Sequence, residues 1–242
     1  MQKIERGSKV IILAGGRGSR MGELTKEQQK CTLPINGEPL LSLIINELES
    51  TLGLLQLFIG VSYREDDVKE VIKKMGKAAT FVPHKNGSES GAAYSTFKPF
   101  LRSNEPVLGC PGDVLIPAQS YANTYQMKSN SSKKLVITAS TNTDEVGTHA
   151  LMSTKDMMTI DTFIHPVPKN HPTKGYLRDT GVVGIDLHFL QHIKELSPNL
   201  YGVPILSLIQ KISDNNGAMI NVIGPRWIHV GYPEDLRKSW KN

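Results

Sequence analysis

Val10-Ile11-Ile12-Leu13-Ala14-Gly15-Gly16-Arg17-Gly18-Ser19-Arg20-Met21, with Lys30 shortly after it, is the stretch on which the reading of the chain turns. Its apolar, β-branched start reads as a buried strand. The strand stops at three glycines within four residues. Glycine lets backbone N–H groups turn inward around an anion, because no Cβ blocks the approach. Arg17 and Arg20 bracket the turn, and Lys30 adds a third cation. A strand feeding a glycine turn lined with fixed positive charge predicts a phosphate site, suited to a polyphosphate. Two familiar glycine motifs are excluded. G-x-x-x-x-G-K-[ST] does not occur, since Gly76-Lys77 is followed by Ala78. Gly16, Gly18 and Gly22 give G-x-G-x-x-x-G, one residue longer than the dinucleotide fingerprint, which speaks against an NAD-dependent oxidoreductase.

Composition narrows the class. The 242 residues are 39% hydrophobic and 21% charged, which predicts one soluble α/β domain. No apolar run approaches the roughly 18 residues needed to span a bilayer. The N-terminal residues do not read as a signal peptide, and Cys31 and Cys110 form no disulfide framework. These features predict a cytoplasmic protein without a membrane partner. The net charge is +5 and the pI near 9.1. The basic residues are scattered, with no dense block and no stacked aromatic motif, so small anionic substrates explain the charge better than nucleic acid.

Further along, strand and helix alternate. Pro39 opens a helix with an apolar face from Leu40 to Leu48, and Leu57-Phe58-Ile59-Gly60-Val61 reads as a second buried strand. Asp66 and Asp67 suit the start of the next helix and Lys73 and Lys74 its end. Thr80-Phe81-Val82 is a third strand. The alternation predicts a doubly wound parallel sheet whose ligands lie beyond the strands' carboxyl ends. In Pro83 to Ala93, a helix start at Ser88 or Ser90 leaves backbone groups open to a flat ligand. Val107 to Ile116 is a strand and turn that leaves Asp113 at the mouth of the sheet. A carboxylate facing phosphates calls for a cation, and Mg²⁺ takes one or two carboxylates plus phosphate oxygens. After the strand at Lys134 to Ala139, residues 148–152 and 159–164 read as short antiparallel strands. Arg178 to Asp186 is another strand, and 187–196 and 203–212 are helices. His188 and His192 lie four apart on the first of these, a spacing seen in metal sites, but with no Glu or Cys beside them they read as a surface pair.

The opening segment, followed by Leu33-Pro34-Ile35-Asn36-Gly37-Glu38-Pro39-Leu40-Leu41, resembles the sugar-phosphate nucleotidyltransferases, the NDP-sugar pyrophosphorylases. Their pattern is L-A-G-G-x-G-[ST]-R-[LM], then P-K-x-L-x-P-[IV]-x-G-x-P. Gln29 stands where the family has proline before lysine, and Glu23 where it has proline after the turn. The resemblance continues in order through Gly112-Asp113, Lys169, the Thr180-Gly181 strand and Trp227-Ile228-His229-Val230-Gly231-Tyr232-Pro233-Glu234-Asp235.

The resemblance implies a single Rossmann-like (GT-A-like) domain, mostly parallel and flanked by helices, with a small antiparallel β appendage. Residues 1 to about 140 would form the nucleotide-binding core and about 141 to 242 the sugar-phosphate part. It implies condensation of an NTP with a sugar 1-phosphate, giving an NDP-sugar and pyrophosphate. Arg20 and Lys30 would be catalytic. Leu13, Ala14, Gly15, Gly16, Gly18, Ser19, Arg20, Ser88, Gly91 and Asp113 would bind the nucleotide, and Lys169, Thr180 and Gly181 the sugar phosphate. Asp113 would ligate Mg²⁺, either alone through waters or, with Mn²⁺ as the alternative, together with His229. His229 replaces the family's second metal-binding aspartate, and imidazole is a poor Mg²⁺ ligand. That replacement supports a rival reading, a catalytically silent sugar-nucleotide-binding homologue. A glycosyltransferase is disfavoured because no D-x-D occurs. Glu234 and Asp235 read as caps of the last helix. Base, sugar and homo-oligomer formation are left open by the sequence.

Overall fold

The structure, a computed structural model, describes residues 7–85, 90–102, 105–143, 149–196, 209, 211–212 and 217–240. Strand β1 (Ser8–Leu13) runs into the glycine turn and a 3-10 segment, Ser19–Thr25. A second 3-10 turn, Lys30–Thr32, precedes the two-residue strands β2 (Pro34–Ile35) and β3 (Glu38–Pro39). Then follow α1 (Leu40–Leu52), β4 (Leu55–Val61), α2 (Glu65–Lys74), β5 (Ala79–Pro83), α3 (Ser90–Ser95) and β6 (Val107–Pro111). The chain continues with β7 (Val114–Leu115), α4 (Ala118–Ser129), β8 (Leu135–Ser140), β9 (Leu151–Thr154), β10 (Ile160–Ile164) and β11 (Leu177–Ile185). It ends with α5 (Leu187–Leu196), β12 (Ala218–Ile223), β13 (Ile228–His229) and a 3-10 turn, Pro233–Arg237.

The parallel heart of the sheet is β6-β1-β4-β5, as the alternation predicts. Strand β1 pairs with β4 and β6 at once, so Leu13 lies beside Gly60 and Pro111 and the three strands end level. Strand β11 joins β6 antiparallel and carries β8 on its other side. Strand β12 extends β8 in parallel. The β9-β10 hairpin, antiparallel as expected, attaches to the first residues of β11. The β2-β3 and β7-β13 ladders are small separate antiparallel sheets.

The pleat of β1 divides the core. Val10 and Ile12 face one cluster with Leu41, Ile44 and Ile45 of α1 and Val68 and Ile72 of α2. Ile11 faces the other, with Tyr94, Phe97, Phe189 and Leu190. A strand covered on both faces must be apolar throughout, which is why β1 reads as an unbroken hydrophobic run. Helix α2 carries Glu65, Asp66 and Asp67 in its first turn and Lys73 and Lys74 in its last, matching the helix dipole. Residues 203–208 of the expected second C-terminal helix, and Ser88, lie outside the described residues. No helix among the described residues is long and apolar enough to cross a membrane.

Candidate active site

The level ends of β1 and β6 create the site. The Gly112 N–H donates to the Leu13 carbonyl (2.9 Å), pinning the Asp113 turn against the strand that launches the glycine turn. A Cβ on Gly112 would lie 2.8 Å from that carbonyl, so only glycine permits the approach. Gly18 takes φ +63°, and the stem of Lys30 runs against it, with Cβ and Cδ 3.0 and 3.2 Å from where a Cβ would stand. The Lys30 ammonium thereby arrives at the Asp113 carboxylate and forms an ion pair with it. Residues 83 positions apart are brought together with side chains only 13% and 22% exposed.

His229 approaches the same carboxylate from the opposite end of the chain. The β7-β13 ladder sets His229 opposite Val114, and the Val230 N–H donates to the Asp113 carbonyl (2.9 Å). His229 Nε2 lies 3.7 Å from Asp113 Oδ2. Burial pushes the Asp113 carboxyl up, but the Lys30 ammonium and the contact with His229 outweigh it and hold the group far below the ordinary carboxylate range. His229 Nδ1 lies 3.1 Å from Nε2 of His149, with the two rings nearly perpendicular. Burial, then the neighbouring His229 and Arg178, pushes the His149 imidazole down to about 3. Trp227 meets His149 edge-on and carries the Arg178 guanidinium 4.6 Å above its ring.

The glycine turn itself offers backbone and guanidinium groups. Gly16 and Ser19 are exposed, whereas Ala14 and Gly15 are buried and present only backbone. Arg20 lies 5.2 Å over the Tyr232 ring and Arg17 lies 5.7 Å over Tyr63. Tyr232 is itself fixed by Asp235, whose Oδ2 accepts from the N–H groups of Gly231 and Tyr232. Asp235 thus caps the last turn as the sequence indicates, while Glu234 is exposed.

The remaining expected residues separate into two kinds. Lys169 is exposed between β10 and β11, and none of the hydrogen bonds or ion pairs of the Lys30–Asp113 cluster reaches it. Gly181, at φ +80°, lies against Pro111 at the end of β6, and Gly91 sits in the first turn of α3. Thr180 takes a structural part. It is fully buried; its hydroxyl donates to the Thr138 carbonyl (2.8 Å) and accepts from the Val182 N–H (3.3 Å). A register shift of β11 against β8 falls between Asp179 and Val183, around this residue. His188 is exposed on α5, and the His192 side chain lies outside the described residues.

Two residues that the sequence reading did not single out border the site. For His149 the sequence shows only a place in a short strand at 148–152. His84, after β5, packs on Gly15: a Cβ there would collide with the imidazole Nε2 and come within 2.9 Å of Ser62. A histidine directly after a strand of the parallel sheet was the available signal.

For a cation, the donor chemistry favours Asp113 alone. It is a hard oxygen donor beside the glycine turn, and Mg²⁺ completes its shell with phosphate oxygens and waters. His229 has an imidazole partner on Nδ1 and offers Mg²⁺ no hard donor. Among the described residues no group of three or more His, Cys, Asp or Glu side chains is arranged to hold a metal.

The chain is 30% identical over 105 residues to the bifunctional protein GlmU of Methanococcus maripaludis, a match covering 43% of this chain and 24% of GlmU. It is 30% identical over 100 residues to the D-glycero-alpha-D-manno-heptose 1-phosphate guanylyltransferase of Campylobacter jejuni, covering 40% and 45% of the two chains. The chain therefore spans less than half the length of either relative in these matches. Among solved structures, a putative glucose-1-phosphate thymidylyltransferase from Bacillus anthracis superimposes with a TM-score of 0.78 at 20% identity, over 95% of this chain and 92% of that one. The inositol-1-phosphate CTP transferase from T. maritima gives 0.75 at 20% identity, over 96% and 92%. The described fold is thus that of the Rossmann-like nucleotidyltransferases. With residues 10–218 matching it, the chain belongs to the MobA-like NTP transferase domain family.

Proposed function

We propose that this nucleotidyltransferase-family protein condenses an NTP with a sugar 1-phosphate or a similar phosphomonoester. An oxygen of the phosphomonoester attacks the α-phosphorus, the bond from that phosphorus to the bridging oxygen breaks, and pyrophosphate leaves. The observation that carries the reading is the Lys30–Asp113 pair set beside the glycine turn by the level ends of β1 and β6. The names of the relatives, acting on heptose 1-phosphate and glucose 1-phosphate, support the acceptor class.

The incoming phosphate is already an anion, so no covalent nucleophile is required. Bringing two anions into line and neutralising them is the main task of the site. Arg20 and the backbone from Gly15 to Ser19 would hold the triphosphate and the departing pyrophosphate. Lys30 would stand beside the α-phosphate and the attacking oxygen, exchanging its contact with Asp113 for phosphate. Mg²⁺ held by Asp113 would supply further neutralisation of phosphate charge. Residues from about 141 onward would serve the sugar phosphate, through Lys169 and the backbone at Gly181.

The test is a matrix of NTPs against sugar 1-phosphates, read by pyrophosphate release with Mg²⁺ and with Mn²⁺. Release for at least one pair is expected. The His149–His229 contact, standing where the family has an aspartate, favours the silent homologue as second reading. Nucleotide binding without release across the whole matrix would establish that reading instead.

A further inference from the structure

Gln29 departs from the proline of the resembling family and has so far been given no part in the reaction. It is 2% exposed, yet its side chain is a primary amide. Burying such a group without partners would be costly. Here both ends are satisfied. The amide nitrogen donates to the carbonyls of Ala14 (2.6 Å) and Gly16 (3.0 Å), and the amide oxygen accepts from the Cys31 N–H (2.5 Å). The first two partners belong to the glycine turn; the third belongs to the Lys30–Thr32 turn. The backbone N–H of Gln29 donates to Asp67 Oδ2 (2.8 Å), a carboxylate also held by Arg64, and its carbonyl accepts from the Thr32 hydroxyl (2.8 Å).

From this bridge we infer that Gln29 is a positioning residue that locks Lys30 to the glycine turn, so that the cation and the phosphate cradle form one rigid unit. Two observations meet here. The Gln29 amide ties the two turns through their backbones, and the Lys30 stem packs on Gly18 within the cradle. A proline at this position would fix the backbone locally but would make none of the side-chain bonds. The amide therefore supplies by hydrogen bonding an alignment of Lys30 that proline would supply only through its own ring. The inference rests on the proposed nucleotidyl transfer, because it assigns Gln29 an effect through Lys30 on bound phosphate.

The experiment is a double-mutant cycle on the full chain, read by pyrophosphate release and by calorimetric binding of inorganic pyrophosphate. Gln29→Glu keeps the shape and the acceptor but removes both donors to the glycine turn. Gln29→Met removes all three bonds and guards against misfolding of a buried carboxylate. Thermal melts establish the folded fraction, to which rates are normalised. A fall of about 10- to 100-fold in kcat is expected from a displaced catalytic cation. In a Lys30→Ala background the same changes should cost less than about 3-fold further, since residues acting as a unit are not additive. Equal losses with and without Lys30, or full activity in both Gln29 variants, would overturn the proposal while leaving the transferase reading intact. A wild-type protein that neither releases nor binds pyrophosphate would overturn both.

Discussion

On either side of the β6-β11 junction, charge is handled in opposite ways. Where β1 and β6 end, Asp113 meets Lys30 and His229, and its carboxyl stays far below the ordinary range although burial opposes this. On β11, Asp179 is 2% exposed and burial pushes its carboxyl up to about 6, with the Gly181 N–H and Arg178 only partly opposing. Beside it, His149 is driven down to about 3. The first region pairs its charges at a loop mouth. The second buries a carboxylate and an imidazole that burial drives toward neutrality, and they line the wall beside that mouth.

The comparison breaks most visibly at Lys30. If this ammonium acts on charge developing in the transition state, Lys30→Ala should lower kcat by about 100-fold or more. Steady-state kinetics decide it: a raised KM with kcat intact would place Lys30 in uniform binding instead.

A smaller effect separates the wall from the mouth. The Asp179 carboxyl titrates near 6 when folded against an ordinary 3.8, so the folded state holds more protons between these values. Its contribution to stability is full below the lower value and is lost as pH rises through the higher one. Asp179→Asn, whose amide oxygen can still accept from Gly181, should remove this loss of up to about 3 kcal/mol. Urea unfolding of both proteins from pH 4 to pH 8 is the measurement, and parallel curves would contradict the assignment.

The smallest expected change is at Thr180. Thr180→Val should reduce unfolding free energy by about 1 kcal/mol through the lost Thr138 bond. The KM for the sugar phosphate should stay within about 2-fold, since the hydroxyl faces the sheet. A selective rise in that KM would return the residue to the sugar pocket.

Much of this was legible beforehand. The β1 run, the helix after Pro39 and the charged ends of α2 were readable because each depends on neighbours within a few residues. Lys30 and Asp113, which the structure brings into an ion pair, were readable as candidates because each follows a glycine turn or strand end. The setting of Thr180 was not readable, because strand period alone gives no warning of the register shift between Asp179 and Val183 or of the bond to Thr138. Gln29 looked like a harmless departure, since nothing local shows that its amide finds carbonyls 13 and 15 residues earlier.

The sequence by itself determined the alternating elements, the buried parallel strands and the glycine turn, for hydrophobic periodicity and the freedom of glycine act over short spans of chain. Tertiary structure alone decided the pairings that give those elements chemistry. Lys30 meets Asp113 across 83 residues and His149 meets His229 across 80, contacts that exist only once strand ends are levelled and the β7-β13 ladder is closed. Charge and burial depend on what arrives from elsewhere in the chain, so no local pattern could have fixed which carboxylate stays ionised and which is held near 6.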